Sequence, residues 1–166
     1  RTIEKKYLGL VMGRPPQNGT IDQAIMEHPG KKGQMVTHAK GKAAQTSFEV
    51  LKYYKRFAWV SFQIHTGRTH QIRVHFESIK HSLIGDQLYN SCRKNLVSNN
   101  LLELDADKYN EIKGFVENFS RQALHAYRIS FLHPRSEELM SFEVPFPEDL
   151  CQLQNLLSDL NSEQKS

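Results

Sequence analysis

Ile64-His65-Thr66-Gly67-Arg68-Thr69-His70-Gln71-Ile72-Arg73-Val74-His75 packs two arginines, three histidines and a glycine turn into twelve consecutive residues. Before the turn, Phe57 to His65 alternates, with Ala58, Val60, Phe62 and Ile64 on one face and Trp59, Ser61, Gln63 and His65 on the other, the period of a strand. After it, Ile72, Phe76 and Ile79 recur at i, i+4 and i+7, which is the buried stripe of a helix. Thr69 is the expected N-cap of that helix, which is predicted to run to about Lys80. His70, Arg73 and Glu77 then share a separate, polar face. Helix N-termini carry unpaired N–H groups and the positive end of the dipole, so Arg68, Thr69 and His70 suit a phosphate or a carboxylate.

The flanking sequence extends the strand and helix pattern. Thr46 to Tyr54 is a second β-rich run, joined to Phe57–His65 by Lys55-Arg56 as an antiparallel hairpin. Lys5 to Met12 reads as a strand ended by Gly13-Arg14-Pro15-Pro16, and Gln17 to Gly41 as a Gly- and Lys-rich connection, largely surface loop. A loop is expected through residues 86 to 118, with Leu101 to Phe119 partly helical. Leu124–Leu132 and Glu138–Phe146 form a second hairpin around His133-Pro134-Arg135-Ser136, and Met140, Phe142, Val144 and Phe146 alternate cleanly. Pro147 opens a final helix, with Glu148 and Asp149 at its positive end and Leu150, Leu153, Leu157 and Leu160 at helical spacing. Hairpins with segregated helices predict an α+β fold with a mixed, mainly antiparallel sheet and flanking helices.

A length of 166 residues and a hydrophobic fraction of 39% fit one domain with a real core. The chain opens at Arg1 without a leader or an apolar spanning stretch, and reads as a soluble fragment of something longer. Cys92 and Cys151 stand far apart without paired spacing, which argues against a disulfide framework or a zinc ribbon and fits a reduced cytosolic setting. The charge is divided: residues 1–100 hold 16 Lys and Arg against 6 Asp and Glu, whereas residues 101–166 hold 6 against 12. The basic part is the candidate polyanion surface.

Each singled-out residue has a plainer reading. Arg73 and Glu77, at i and i+4, suit a surface ion pair. The histidines at 65, 70 and 75 lack the i, i+4 arrangement that aims two imidazoles at one metal, which argues against zinc. Tyr7 can be an aromatic filling one face of a strand. Asp86 is expected to play a structural or loop role.

The run Thr66-Gly67-Arg68-Thr69-His70-Gln71-Ile72-Arg73-Val74-His75 resembles the signature of the RluA family of RNA pseudouridine synthases. Other stretches resemble the family in the expected order: Lys5-Lys6-Tyr7, Gly41-Lys42-Ala43-Ala44-Gln45-Thr46, Ile84-Gly85-Asp86-Gln87-Leu88-Tyr89, Arg121-Gln122-Ala123-Leu124-His125-Ala126 and His133-Pro134. The likeness runs to about Asp149, its late segments are most similar to the RluD-like branch, and it departs at His81-Ser82 and at Asn90. It implies the pseudouridine synthase fold, with residues 1–166 as the C-terminal part of the catalytic domain. The family's R-L-D-x-x-T-S-G segment, which carries the catalytic aspartate, would precede Arg1, so this fragment alone is expected to be inactive.

The resemblance further implies catalytic roles for Tyr7, against the base, and Arg73, paired with that aspartate. Arg68, His70 and Lys42 become RNA contacts. No cofactor and no metal are implied, the partner is large-subunit ribosomal RNA rather than a membrane, and the location is cytoplasmic. Two other readings are a noncatalytic RNA-binding module on the same scaffold and a general basic β-rich domain.

Overall fold

A computed structural model describes residues 3–55, 57–91 and 106–162. Its main sheet contains β1 (Glu4–Met12), β2 (Asn18–Asp22), β5 (Gln45–Tyr54), β6 (Phe57–Ile64), β7 (Leu124–Leu132) and β8 (Leu139–Glu143). The strand order is β2-β5-β6-β1-β7-β8, and every neighbouring pair is antiparallel. A small separate hairpin pairs β3 (Ile25–Glu27) with β4 (Met35–Thr37). Three described helices complete the fold: α1 (Gln71–Ser78), α2 (Ala106–Asn118) and α3 (Glu148–Ser162). None is long and apolar enough to cross a membrane.

Alternation in β1 and β6 sends side chains to two cores, one on each face of the sheet. On one face Val11, Ala58, Val60 and Phe62 pack with Ile72 and Phe76 of α1. Phe48 and Phe62 each meet the Phe76 ring in a T-shaped arrangement, at centroid distances of 5.2 and 4.8 Å. On the other face Leu10, Met12 and Phe57 pack against Ile112 and Val116 of α2 and against Leu150, Leu153, Leu157 and Leu160 of α3. All four leucines are fully buried, as their helical spacing predicts. Arg121 grips Asp149 with both edges of a fork, at 2.9 and 3.0 Å, which ties the start of α3 to the approach to β7 and holds the Asp149 carboxyl below its usual range.

After α1 the chain returns to the sheet and lies along the end of β1. Met12 N–H donates to the Ser82 carbonyl at 2.9 Å, Ile84 N–H donates to the Leu10 carbonyl at 2.9 Å, and Ala123 N–H donates to the Ile84 carbonyl at 2.7 Å. Gly85 follows at φ +79°, and a Cβ there would sit 2.1 Å from the Arg121 carbonyl oxygen. Only glycine fits that turn.

Three expectations change. The connection from Gln17 to Gly41 holds β2, β3 and β4, because β2 finds β5 as a partner and satisfies its backbone there. The last strand ends at Glu143 rather than Phe146, and its alternating residues Phe142 and Val144 are about half exposed, so that pattern marks an uncovered face rather than a core. The helix predicted from Thr69 to Lys80 is shorter and begins at Gln71. Cys92 and the onset of helical pattern at Leu101 lie outside the described residues, whereas α2 accounts for the later part of that stretch.

Candidate active site

The turn between β6 and α1 is closed by Gln71, not by Thr69. Thr69 makes no cap; His70 occupies the N-cap position in the left-handed region, φ 55°, without a side-chain cap bond. Instead the Gln71 side-chain Oε1 accepts from Thr66 Oγ1 at 2.8 Å and Arg68 N–H at 3.1 Å, while Nε2 donates to the Gln45 carbonyl and to Thr46 Oγ1. A β-branched threonine is disfavoured at positive φ, whereas histidine is among the residues that enter it more readily. One buried amide thus ties the turn to β5.

The polar face predicted for His70, Arg73 and Glu77 exists, and the segment that returns to the sheet covers it. His70 Nδ1 lies 2.9 Å from Tyr89 Oη. Arg73 Nε donates to Asp86 Oδ2 at 2.7 Å and Nη2 donates to Oδ1 at 2.9 Å. Glu77 bonds Ser82 Oγ and accepts Ser91 N–H at 3.1 Å, so it is not the partner of Arg73. The i, i+4 surface pair loses to Asp86 because that carboxylate is fully buried and has a stronger need for a cation.

Asp86 is itself fixed. Its Oδ1 also accepts the N–H groups of Leu88 and Tyr89 at 2.9 and 3.0 Å, an Asx-type turn that holds the carboxylate against its own backbone. The hydrogen bond and charge of Asp86 raise the already high pKa of Arg73. The guanidinium carbon lies 5.0 Å from the Tyr89 ring centroid, and Tyr89 Oη accepts Met35 N–H at 2.8 Å. The same hydroxyl shares a hydrogen bond with His70 Nδ1. Burial, followed by the Arg73 charge, lowers the His70 pKa against an opposing pull from Asp86, favouring the neutral imidazole.

Lys42 and Arg68 meet at one cleft of about 460 Å3, where Lys40, Gly41, Gly67 and Thr69 join them. Arg68 Nε donates to the Ala43 carbonyl at 2.9 Å, which anchors the side chain by one edge. Among the described residues no carboxylate pairs with Lys40, Lys42 or Arg68. His70, expected beside them, turns its ring to Tyr89.

Tyr7 stands on β1 between Phe62 of β6 and Ala126 of β7. The β1–β7 register shifts between Lys6, opposite Arg128, and Tyr7, opposite Ala126, so Tyr127 is skipped. That bulge places a small residue beside the phenol. Tyr7 lines a second cleft, of about 340 Å3, with Lys5, Ala126, Ile129, Phe142 and Val144, and burial pushes its pKa up. It also packs on the core that contains Ile72 and Phe76, the neighbours of Arg73 along α1. No hydrogen bond, ion pair or ring contact joins Tyr7 to Arg73.

Asp86, Tyr89 and Gln71 carry this arrangement, and only the first was singled out from sequence. The available signal was Gly85-Asp86 with two amides to follow, which is turn chemistry. Nothing in the sequence links that turn to Arg73. Among the described residues, no group of three or more His, Cys, Asp and Glu is arranged to hold a metal ion.

Residues 1–78 match the family model described as RNA pseudouridylate synthase. The chain is 33% identical over 157 residues to the ribosomal large subunit pseudouridine synthase D of Vibrio vulnificus, covering 95% of this chain and 46% of that protein. It is 35% identical over 160 residues to the protein of the same name from Haemophilus influenzae, again 95% and 46%. The chain therefore spans about half the length of the curated relatives it matches. Human RNA pseudouridylate synthase domain containing 4 superposes with a TM-score of 0.66 at 22% identity, covering 93% of this chain and 62% of that one. Domain containing 1 from human gives 0.63 at 24% identity, covering 96% and 66%. With the strand order and helix placement described above, the chain is similar in sequence and in fold to RNA pseudouridylate synthases, and these likenesses support the RluA/RluD type.

Proposed function

We propose that these residues are the C-terminal part of the catalytic domain of an RNA pseudouridine synthase that isomerises uridine in large-subunit ribosomal RNA. The observation that carries this reading is the state of Arg73. Its Nε and Nη2 edge is occupied by Asp86, and among the described residues Nη1 and the second N–H of Nη2 have no acceptor. A guanidinium held on one edge and open on the other suits gripping a second carboxylate. That carboxylate is the family's aspartate, supplied by sequence outside these residues.

In the reaction the bond from ribose C1′ to uracil N1 breaks, the base turns, and C1′ bonds to C5. C5 then loses its proton and N1 gains one, so there is no net oxidation and no cofactor is called for. The aspartate acts at the ribose, Arg73 orients it, and Tyr7 lies against the base near C5. The unstacked nucleotide must enter a concave site, and the cleft at Tyr7 supplies apolar walls. Lys42 and Arg68 bind phosphates flanking it, and His70 supports the turn that presents Arg68. A soluble cytoplasmic protein fits this work.

The full-length protein incubated with unmodified large-subunit ribosomal RNA should convert uridine to pseudouridine, a mass-neutral change read by chemical labelling selective for the product. Arg73→Lys should cut turnover at least about a hundredfold while the fold persists, because one ammonium does not reproduce two parallel bonds. RNA binding without conversion by the wild-type protein would instead identify a noncatalytic RNA-binding module.

A further inference from the structure

We propose that Asp86 is a positioning residue for the reaction, fixing the guanidinium of Arg73 so that its open edge is aimed before substrate arrives. The proposal rests on the reading of Arg73 given above and adds a residue to it. An arginine on a helix has several rotatable bonds, and the core packing of Ile72 and Phe76 fixes the backbone of α1 but not the end of that side chain. Asp86 supplies the missing constraint. It takes Nε and Nη2 with its two oxygens, leaving Nη1 and one N–H of Nη2 as the directions for another acceptor.

The constraint is referenced to the sheet. Ile84 N–H bonds the Leu10 carbonyl of β1, Gly85 makes the turn that no other residue fits, and Asp86 is locked by Leu88 and Tyr89 N–H. Tyr7 stands on the same β1, three residues from Leu10. Tyr7 and Arg73, which share no hydrogen bond, ion pair or ring contact, are therefore held in fixed relation through residues 84–86. Tyr89 closes the other side, with its ring against the guanidinium and its hydroxyl between Met35 and His70.

The experiment uses the full-length protein and ribosomal RNA with tritium at uridine C5, in single turnover with enzyme in excess. Asp86→Asn keeps an oxygen for Leu88 and Tyr89 but presents an N–H to Arg73 Nε. It should keep a cooperative thermal melt and RNA affinity within about threefold, while the first-order release of tritium at saturation falls about a hundredfold. A purely structural residue would not divide binding from conversion in this way. Asp86→Glu keeps the charge and should recover part of the loss. Arg73→Lys added to Asp86→Asn should cost little more than either alone, since both act through one group.

A folded Asp86→Asn protein converting at the wild-type rate overturns the proposal. If that variant fails to fold, Asp86→Glu decides: a rate equal to wild type overturns it, and a selective loss of conversion supports it. Should the wild-type protein convert no uridine, the enzyme reading fails and this proposal falls with it, an outcome distinct from an active wild type with an indifferent Asp86.

Discussion

Replacing Arg73 with alanine tests whether the clasp is structural as well as functional. Arg73 is 13% exposed in its side chain and Asp86 is fully buried. The substitution removes two charge-assisted hydrogen bonds, at 2.7 and 2.9 Å. Oδ1 keeps the two backbone amides, but among the described residues Oδ2 has no other partner and is left as a buried charge. Breaking such a pair from one side costs about 3–5 kcal/mol, and the retained amides place the expectation at about 3. A solvated arginine would cost only about 0.2–1 kcal/mol. Urea denaturation followed by far-UV circular dichroism measures the difference, with an unchanged slope confirming that the same surface unfolds. Arg73→Met combined with Asp86→Leu removes both charges and should lie well above the single variant in stability. A single-variant loss below about 1 kcal/mol, or a double variant less stable than the single, would refute the reasoning.

Gly85→Ala should lower stability by about 3 kcal/mol or abolish folding, from left-handed strain and collision with the Arg121 carbonyl together, as read by thermal melting. The fully buried His75 lies 2.9 Å from both Thr46 Oγ1 and the Gln23 carbonyl, and burial holds its pKa below 6.5 against the pull of that carbonyl and of Asp22. The native state then binds fewer protons than the unfolded one, so stability is complete above the unfolded value and falls as pH drops below 6.5. His70 adds the same sign. The slope should reach at most about 1.4 kcal/mol per pH unit for each histidine, and His75→Gln should remove one share. Lys42→Ala and Arg68→Ala should each reduce the slope of log affinity for RNA against log salt by about 0.7–0.9, measured by fluorescence anisotropy.

The parts of the fold legible in sequence are those whose reason is local. The strand alternation of β6, the stripe Ile72 and Phe76, and the four leucines of α3 each bury a face that the spacing already names. The short β2, β3 and β4 were not legible, since each becomes a strand only by gaining a distant or weakly patterned partner. The β7 bulge is hidden for a related reason: alternation run straight through Tyr127 puts one half of the strand on the wrong side. In the site, Arg68 stood out from its place between a glycine turn and a helix start, whereas Arg73 and Lys42 were named by the family resemblance. The link from Arg73 to Asp86 spans a turn of chain with no period to mark it, and was decided by where residues 82–84 lie on β1.

The two-pronged hold on Arg73 also decides when conformational freedom is lost. An arginine side chain carries about 2 kcal/mol of rotamer entropy, and ordering it at the moment of association would weaken affinity by that amount. Here the ordering has already happened by the time the chain is folded, so a bound nucleotide meets a side chain with little left to give up.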